Sequence, residues 1–184
     1  MATDDDLYIE LTLTELRAVA GYALACARPA VALFDRDYPD DPRPRAVLDE
    51  AAAFAEGGRR TKALRVTALD AHRSARTARD EHRWAAAEAA RAAGHAGAAG
   101  YLHPLAKATQ VLHILGSAGN AARAFELDAG GDPAIGAAHL DRARDLADAT
   151  VVSVLHRYPA APGGGGRVGE LVRTLDIALR SDGR

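Results

Sequence analysis

Cysteine, lysine and long apolar runs are all scarce in this chain of 184 residues. The one cysteine, Cys26, excludes an internal disulfide and fits a reducing cytoplasm. No stretch nears the roughly 18 consecutive apolar residues that a membrane span needs, so no membrane partner is expected. The opening MATDDDLYIE lacks both a basic and an apolar region and does not read as a signal peptide. A formal net charge of −2 excludes an overall bias towards polyanions. Sustained alternation of apolar and polar residues is also missing. The brief LYIELTL could be a strand but has no evident partner.

Motifs of reaction chemistry are equally absent. There is no H-E-x-x-H, no Glu-x-x-His and no G-x-S-x-G. The phosphate-binding patterns G-x-x-x-x-G-K-[ST] and G-x-G-x-x-G after a strand do not occur either. Neither a metal nor a cofactor is therefore expected, and no residue stands out as catalytic. Cys26 falls on the apolar side of a helix and reads as a small buried hydrophobe.

What the chain does have is helical periodicity. Thr12 and Glu15 form a capping box, with Leu11 and Leu16 as a hydrophobic staple. Leu16, Val19, Ala20, Ala23, Ala27, Ala30 and Phe34 continue at helical spacing, interrupted by Pro29, which predicts a kink or two stacked helices. Asp41 and Pro42 suit the cap and first turn of a second helix, which Gly57 and Gly58 end. A third helix, about 59–79, has an alanine seam from Leu64 to Ala78. A fourth, about 81–100, is nearly all small residues, with Gly94, Gly97 and Gly100 at intervals of three. Close approach by a neighbour would offset their low helix propensity.

The fifth helix, expected over 104–127, is the most apolar and reads as central. A sixth runs from Pro133 to Tyr158 after an Asp132 cap. PAAPGGGG, 159–166, reads as a flexible linker, followed by a short amphipathic helix. The expectation is one all-α domain of six or seven helices, an orthogonal or antiparallel bundle with solenoid-like pairing as a variant. It divides into 1–158, the linker 159–166, and a C-terminal helix in 167–184 packing on the same domain.

Charge is unevenly placed. Residues 1–56 hold 12 acidic and 5 basic side chains, a balance of −7, whereas 57–83 hold 3 acidic and 8 basic, a balance of +5. Asp35, Asp37, Asp40 and Asp41 crowd beside Arg43 and Arg45, where capping explains the acids but not the arginines. The third helix carries a ridge of Arg65, His72, Arg76 and Arg79. With Arg73 these could meet nucleic acid, but no aromatic residue interleaves them. On the fourth helix one stripe stands apart: Trp84, Glu88, Arg91 and His95. On the fifth, Gln110, His113, Ser117 and Asn120 make a polar ridge that must meet solvent or be hydrogen-bonded inside.

The segment LRAVAGYALACARPAVALFDRDYPDDPRPRAVLDEAAAFAEGG, with AAEAARAAGHAGAAGYLH after it, resembles the small all-helical immunity proteins of bacterial polymorphic-toxin systems. The resemblance rests on Cys26, Phe34, Pro39, Asp40, Asp41, Arg43, Pro44, Arg45 and His95, and covers about residues 14–115. It implies a non-catalytic, cytoplasmic binding protein, monomeric or homodimeric, that neutralises a toxin-like protein partner by charge and shape. Asp35, Asp37, Asp40, Asp41, Arg43 and Arg45 are then the candidate docking residues. The two arginines could instead clamp Asp35 or Asp37 internally. An alternative is a small-molecule or enzymatic pocket between helices four and five, lined by Trp84, His95, Tyr101, His103, Gln110, His113 and Ser117. Nucleic acid is the least favoured partner.

Overall fold

The computed structural model describes residues 8–181. The acidic start that was read as carrying no leader lies mostly outside the described residues, as does Leu7 of LYIELTL. Among the described residues the chain forms eight α-helices and no strand, so the all-α expectation holds with one helix more than the upper count.

The first helix, α1 (Leu13–Asp37), begins with the capping box: the Glu15 N–H donates to Thr12 Oγ1 at 3.2 Å and the Thr12 N–H to Glu15 Oε2 at 2.8 Å. It stays one helix through Pro29. Pro29 is exposed, while Ala27, Ala30, Val31 and Phe34 are buried and anchor the helix. By length and hydropathy α1 could cross a membrane, but 61% of its apolar window is buried inside the protein, which is the pattern of a core helix.

Next comes α2 (Arg43–Ala55), which buries Val47, Leu48, Ala51 and Phe54. In α3 (Lys62–Asp80), capped by Thr61, the seam from Leu64 to Ala78 is buried as its spacing requires. Its neighbour α4 (Trp84–Ala99) packs against α1, α2, α3 and α5, so it shares the centre with α5 (Val111–Asp128). Methyl groups and hydrogens cover most of α4, and that is what allows four neighbours. At Gly97 a Cβ would overlap Val47 Cγ2 and lie 2.9 Å from Ala68 Cβ.

Two breaks were not foreseen. Residues 104–107 are not helical, and only a short 3-10 turn, Ala108–Gln110, precedes α5. The cause is long-range: the Ile9 N–H donates to the Pro104 carbonyl at 2.8 Å, and Tyr8 pairs antiparallel with Leu105. LYIELTL thus has a partner, through a single bridge. The expected sixth helix is two, α6 (Pro133–Leu146) and α7 (Ala149–His156). Asp148 caps α7 by accepting from the Val151 N–H at 2.8 Å.

The glycine run turns into α8 (Gly166–Ser181), with positive φ at Gly164, Gly165 and Gly166. The segment before it is fastened. Arg180 donates to the Tyr158 and Pro159 carbonyls, each at 3.1 Å, Arg173 to Pro162 and Gly164, and the Ala161 N–H to buried Asp176. α8 itself packs on α5, α6 and α7.

Replacing Gly97 by alanine gains about 1 kcal/mol of helix propensity but overpacks a rigid contact, which costs about 1–3 kcal/mol. Because Ala68 Cβ is fixed to its own helix and Val47 is fully buried, the clash is expected to win. G97A should lower the urea midpoint at unchanged slope.

Candidate functional site

Two polar features are candidates. The first is the turn between α1 and α2. Arg45 grips Asp35 through Nε at 2.9 Å and NH2 at 2.8 Å. Arg43 grips Asp41 through Nε at 2.8 Å and NH2 at 2.6 Å, and its own N–H donates to the same carboxylate at 3.1 Å. The Ser74 hydroxyl donates to Asp41 at 3.0 Å, tying the turn to α3. Arg36 pairs with Asp37 at 3.5 Å and with Asp128 at 2.8 Å. Hydrogen bonds from Arg43 hold the Asp41 carboxyl below the usual carboxylate range, against the opposing effect of burial. The internal clamp therefore exists, with Asp35 for Arg45 but with Asp41, not Asp35 or Asp37, for Arg43. Asp40 is exposed, with no ion pair among the described residues. The open groove here measures about 500 Å³ and runs from Asp37 to Arg43.

The second feature is a cleft of about 550 Å³ where α3, α4, α5 and the start of α8 meet. From α3 comes His72, and from α4 come Glu88, Arg91 and His95. On the α5 side are Leu112, Gly116, Asn120 and Arg123, and the start of α8 adds Arg167, Val168 and Val172. Helical spacing puts Glu88, Arg91 and His95 on one face of α4. The two imidazoles meet edge to face at 5.4 Å. Gly116 makes room for His95: a Cβ there would sit 2.8 Å from His95 Nδ1.

Charges in the cleft are arranged in depth. Arg91 NH1 donates to Glu88 Oε1 at 3.0 Å, and Glu88 Oε2 is buried without a partner. Burial pushes the Glu88 carboxyl up, outweighing Arg91 and Arg123. Glu126, 1% exposed, accepts from Arg123 NH1 at 3.0 Å and from Arg167 at 3.1 and 2.5 Å. Burial raises its pKa, but the bonds from Arg167 and Arg123 win and keep it ionised. Burial, with His72, His113 and Arg91 adding, lowers the His95 pKa to about 3; burial, Arg91 and Arg76 lower that of His72. Both imidazoles are neutral near pH 7.

Of the seven residues expected around a pocket between helices four and five, only His95 lines this cleft. Trp84 is half exposed at the start of α4, near His82. The Tyr101 hydroxyl donates to the Thr61 carbonyl at 2.5 Å, under the guanidiniums of Arg60 and Arg65. Gln110 accepts from the His103 N–H at 2.8 Å, which fastens the loop before α5. His113 is half-buried, with its Nδ1 buried and unpartnered, and the Ser117 hydroxyl donates to the Ala92 carbonyl at 2.9 Å, closing the α4–α5 contact. On the basic ridge, Arg73 pairs with Asp70 and Arg79 with Asp80.

Sequence reasoning missed Arg123, Glu126 and Arg167. A lone Glu126 three residues after an arginine on an apolar helix was the available signal for the first two. Arg167 had none, because its partner is 41 residues away. Cys26 is buried, which pushes its thiol pKa up to about 12 and makes it inert. No group of three or more His, Cys, Asp or Glu among the described residues could hold a metal ion.

Two measurements check this description. Asp41→Ala should cost about 1–3 kcal/mol, because it strips partners from half-buried Arg43 and from Ser74. Arg45→Ala, at an exposed pair, should leave the unfolding midpoint nearly unchanged. For His95 the folded pKa lies below the unfolded one, so the unfolded chain binds the extra proton between them. Its stability contribution is complete above pH 6.5 and is lost as pH falls towards about 3. His95→Gln should flatten the dependence of stability on pH between 6.5 and 5 by up to about 1.4 kcal/mol per pH unit, read from urea midpoints.

Comparison with curated proteins and with solved structures gives no match. Comparison with protein families gives one: the family described as Imm-5 like putative immunity protein matches residues 10–148. The match runs from the residues before α1 through α6 to the cap of α7. It includes the α1–α2 turn and every wall of the cleft except the one from the start of α8. The chain belongs to the Imm-5 like immunity protein family.

Proposed function

We propose that the protein is an immunity-type binding protein that neutralises a toxin-like protein partner in the cytoplasm by complementary charge and shape, without performing a reaction. The family match over residues 10–148 is the observation that carries this reading. The α1–α2 turn suits the task physically. Pro39, Pro42 and Pro44 limit its backbone, a bidentate ion pair to Asp41 holds Arg43, and Arg45 is held at a single oxygen of Asp35. A surface already ordered loses little entropy on association. Within it Asp35, Asp37, Asp41, Arg43 and Arg45 set the shape, and exposed Asp40 offers a charge to the partner.

The test is coexpression with the product of each gene neighbouring this one, a product that arrests growth on its own being the candidate toxin. Growth should be restored, and the two chains should co-elute as a salt-sensitive complex. Asp40→Arg is expected to weaken the complex at least roughly tenfold by placing like charges together while leaving the fold intact. Growth that is not restored, or is restored with no complex between the chains, would overturn the reading.

A further inference from the structure

The cleft shares no residue with the α1–α2 turn. Three guanidiniums, Arg91, Arg123 and Arg167, converge on it from three helices. Three carboxylates hold them: Glu126, 1% exposed, and Glu88, 15%, sit behind, while Glu170, 58% exposed, accepts from Arg167 NH1 at 3.1 Å; the arginines keep 27–36% of their side chains exposed, and Arg167 commits Nε and NH2 to Glu126 as well. The three arginines and three carboxylates balance in charge, but Glu170 does not line the cleft and Glu88 and Glu126 are more buried than the arginines, so the cleft wall offers more guanidinium than carboxylate to solvent. Each guanidinium has five N–H donors. Arg91 and Arg123 each commit one nitrogen to protein, through NH1, so most of their donors remain available.

At the floor are His72 and His95, neither of which makes a hydrogen bond among the described residues. A neutral imidazole keeps one N–H to donate. Burial and the neighbouring cation Arg91 keep both rings neutral when nothing anionic is present, with Arg76 adding at His72. Asn120 completes the polar lining, and Leu112, Val168 and Val172 add an apolar side.

We propose that this cleft binds a small-molecule oxyanion, a carboxylate or phosphate group with a short apolar part, gripped by Arg91, Arg123 and Arg167 over a floor of His72 and His95. Its volume of about 550 Å³ falls in the range of small-molecule sites. Arg167 lies beyond the family-matched residues, so the segment from Gly165 to Val172 finishes a site that α3, α4 and α5 begin. Fork-shaped donors from three directions suit an oxyanion better than a halide.

The experiment titrates the full chain with inorganic phosphate and with butyrate at constant ionic strength, replacing chloride. Binding is read by calorimetry and by the ring-proton NMR signals of His72 and His95. Saturable binding of at least one probe is expected, with both ring signals moving. The double substitution E88Q/R91Q removes one guanidinium with its counter-charge, and should weaken binding roughly tenfold. Asp40→Arg, at the turn that shares no residue with the cleft, should bind like the wild type, which separates this site from the docking reading. No saturation into the tens of millimolar, unmoved ring signals, or equal binding by E88Q/R91Q and the wild type would overturn the proposal. If the double variant fails to fold, the ring signals of the wild type decide.

Discussion

The closeness with which α4 meets its neighbours is the constraint on which the structure depends. A helix covered by methyl groups and hydrogens lets other backbones come near on several sides. In return it has little tolerance for added volume, since interiors are packed as densely as organic crystals. Buried Ala86, Ala89, Ala93 and Ala96 contribute little area one by one, and the large contributions come from neighbours such as Phe34, Phe54 and Ile114. Fully burying a side chain of that size contributes about 1.5–3 kcal/mol. The role of α4 is to let those side chains reach one another around it.

The same constraint makes the cleft. Where the small residues of α4 give way to Glu88, Arg91 and His95, the neighbours cannot close, and polar groups line the gap. Glycine at 116 lets α5 pass beside the His95 ring instead of pushing it out. The polar ridge on α5 divides accordingly. Ser117 bonds to the α4 backbone, Asn120 bonds to the Gly116 carbonyl and borders the cleft, and Gln110 fastens the preceding loop.

Arginine supplies most of the long-range polar fastening. Arg157 ties the end of α7 to the Glu10 carbonyl and the Glu15 carboxylate at the start of α1. Arg180 and Asp176 hold the 158–161 stretch to α8, and Arg167 joins α8 to Glu126 on α5. A planar guanidinium can satisfy a buried carboxylate through two bonds at once, so Glu126 stays ionised at 1% exposure. The carboxyl of Glu88, with a single bond, is pushed towards its neutral form.

What the sequence determined by itself was local. Capping chemistry placed the starts of α1 and α6, because Thr12, Glu15 and Asp132 act on donors two or three residues away. The 3.6-residue period exposed the α3 seam and the Glu88, Arg91 and His95 stripe. Only the tertiary structure decided where distant segments meet. Pairing with Ile9 keeps Pro104 out of the helix it could have started, and Asp148 divides a run whose apolar period continues across the break. The stripe on α4 becomes a cleft only once Arg123 and Arg167 arrive from α5 and α8. A helical period reports which residues share a face, but the group opposite that face is set by chain paths many residues apart.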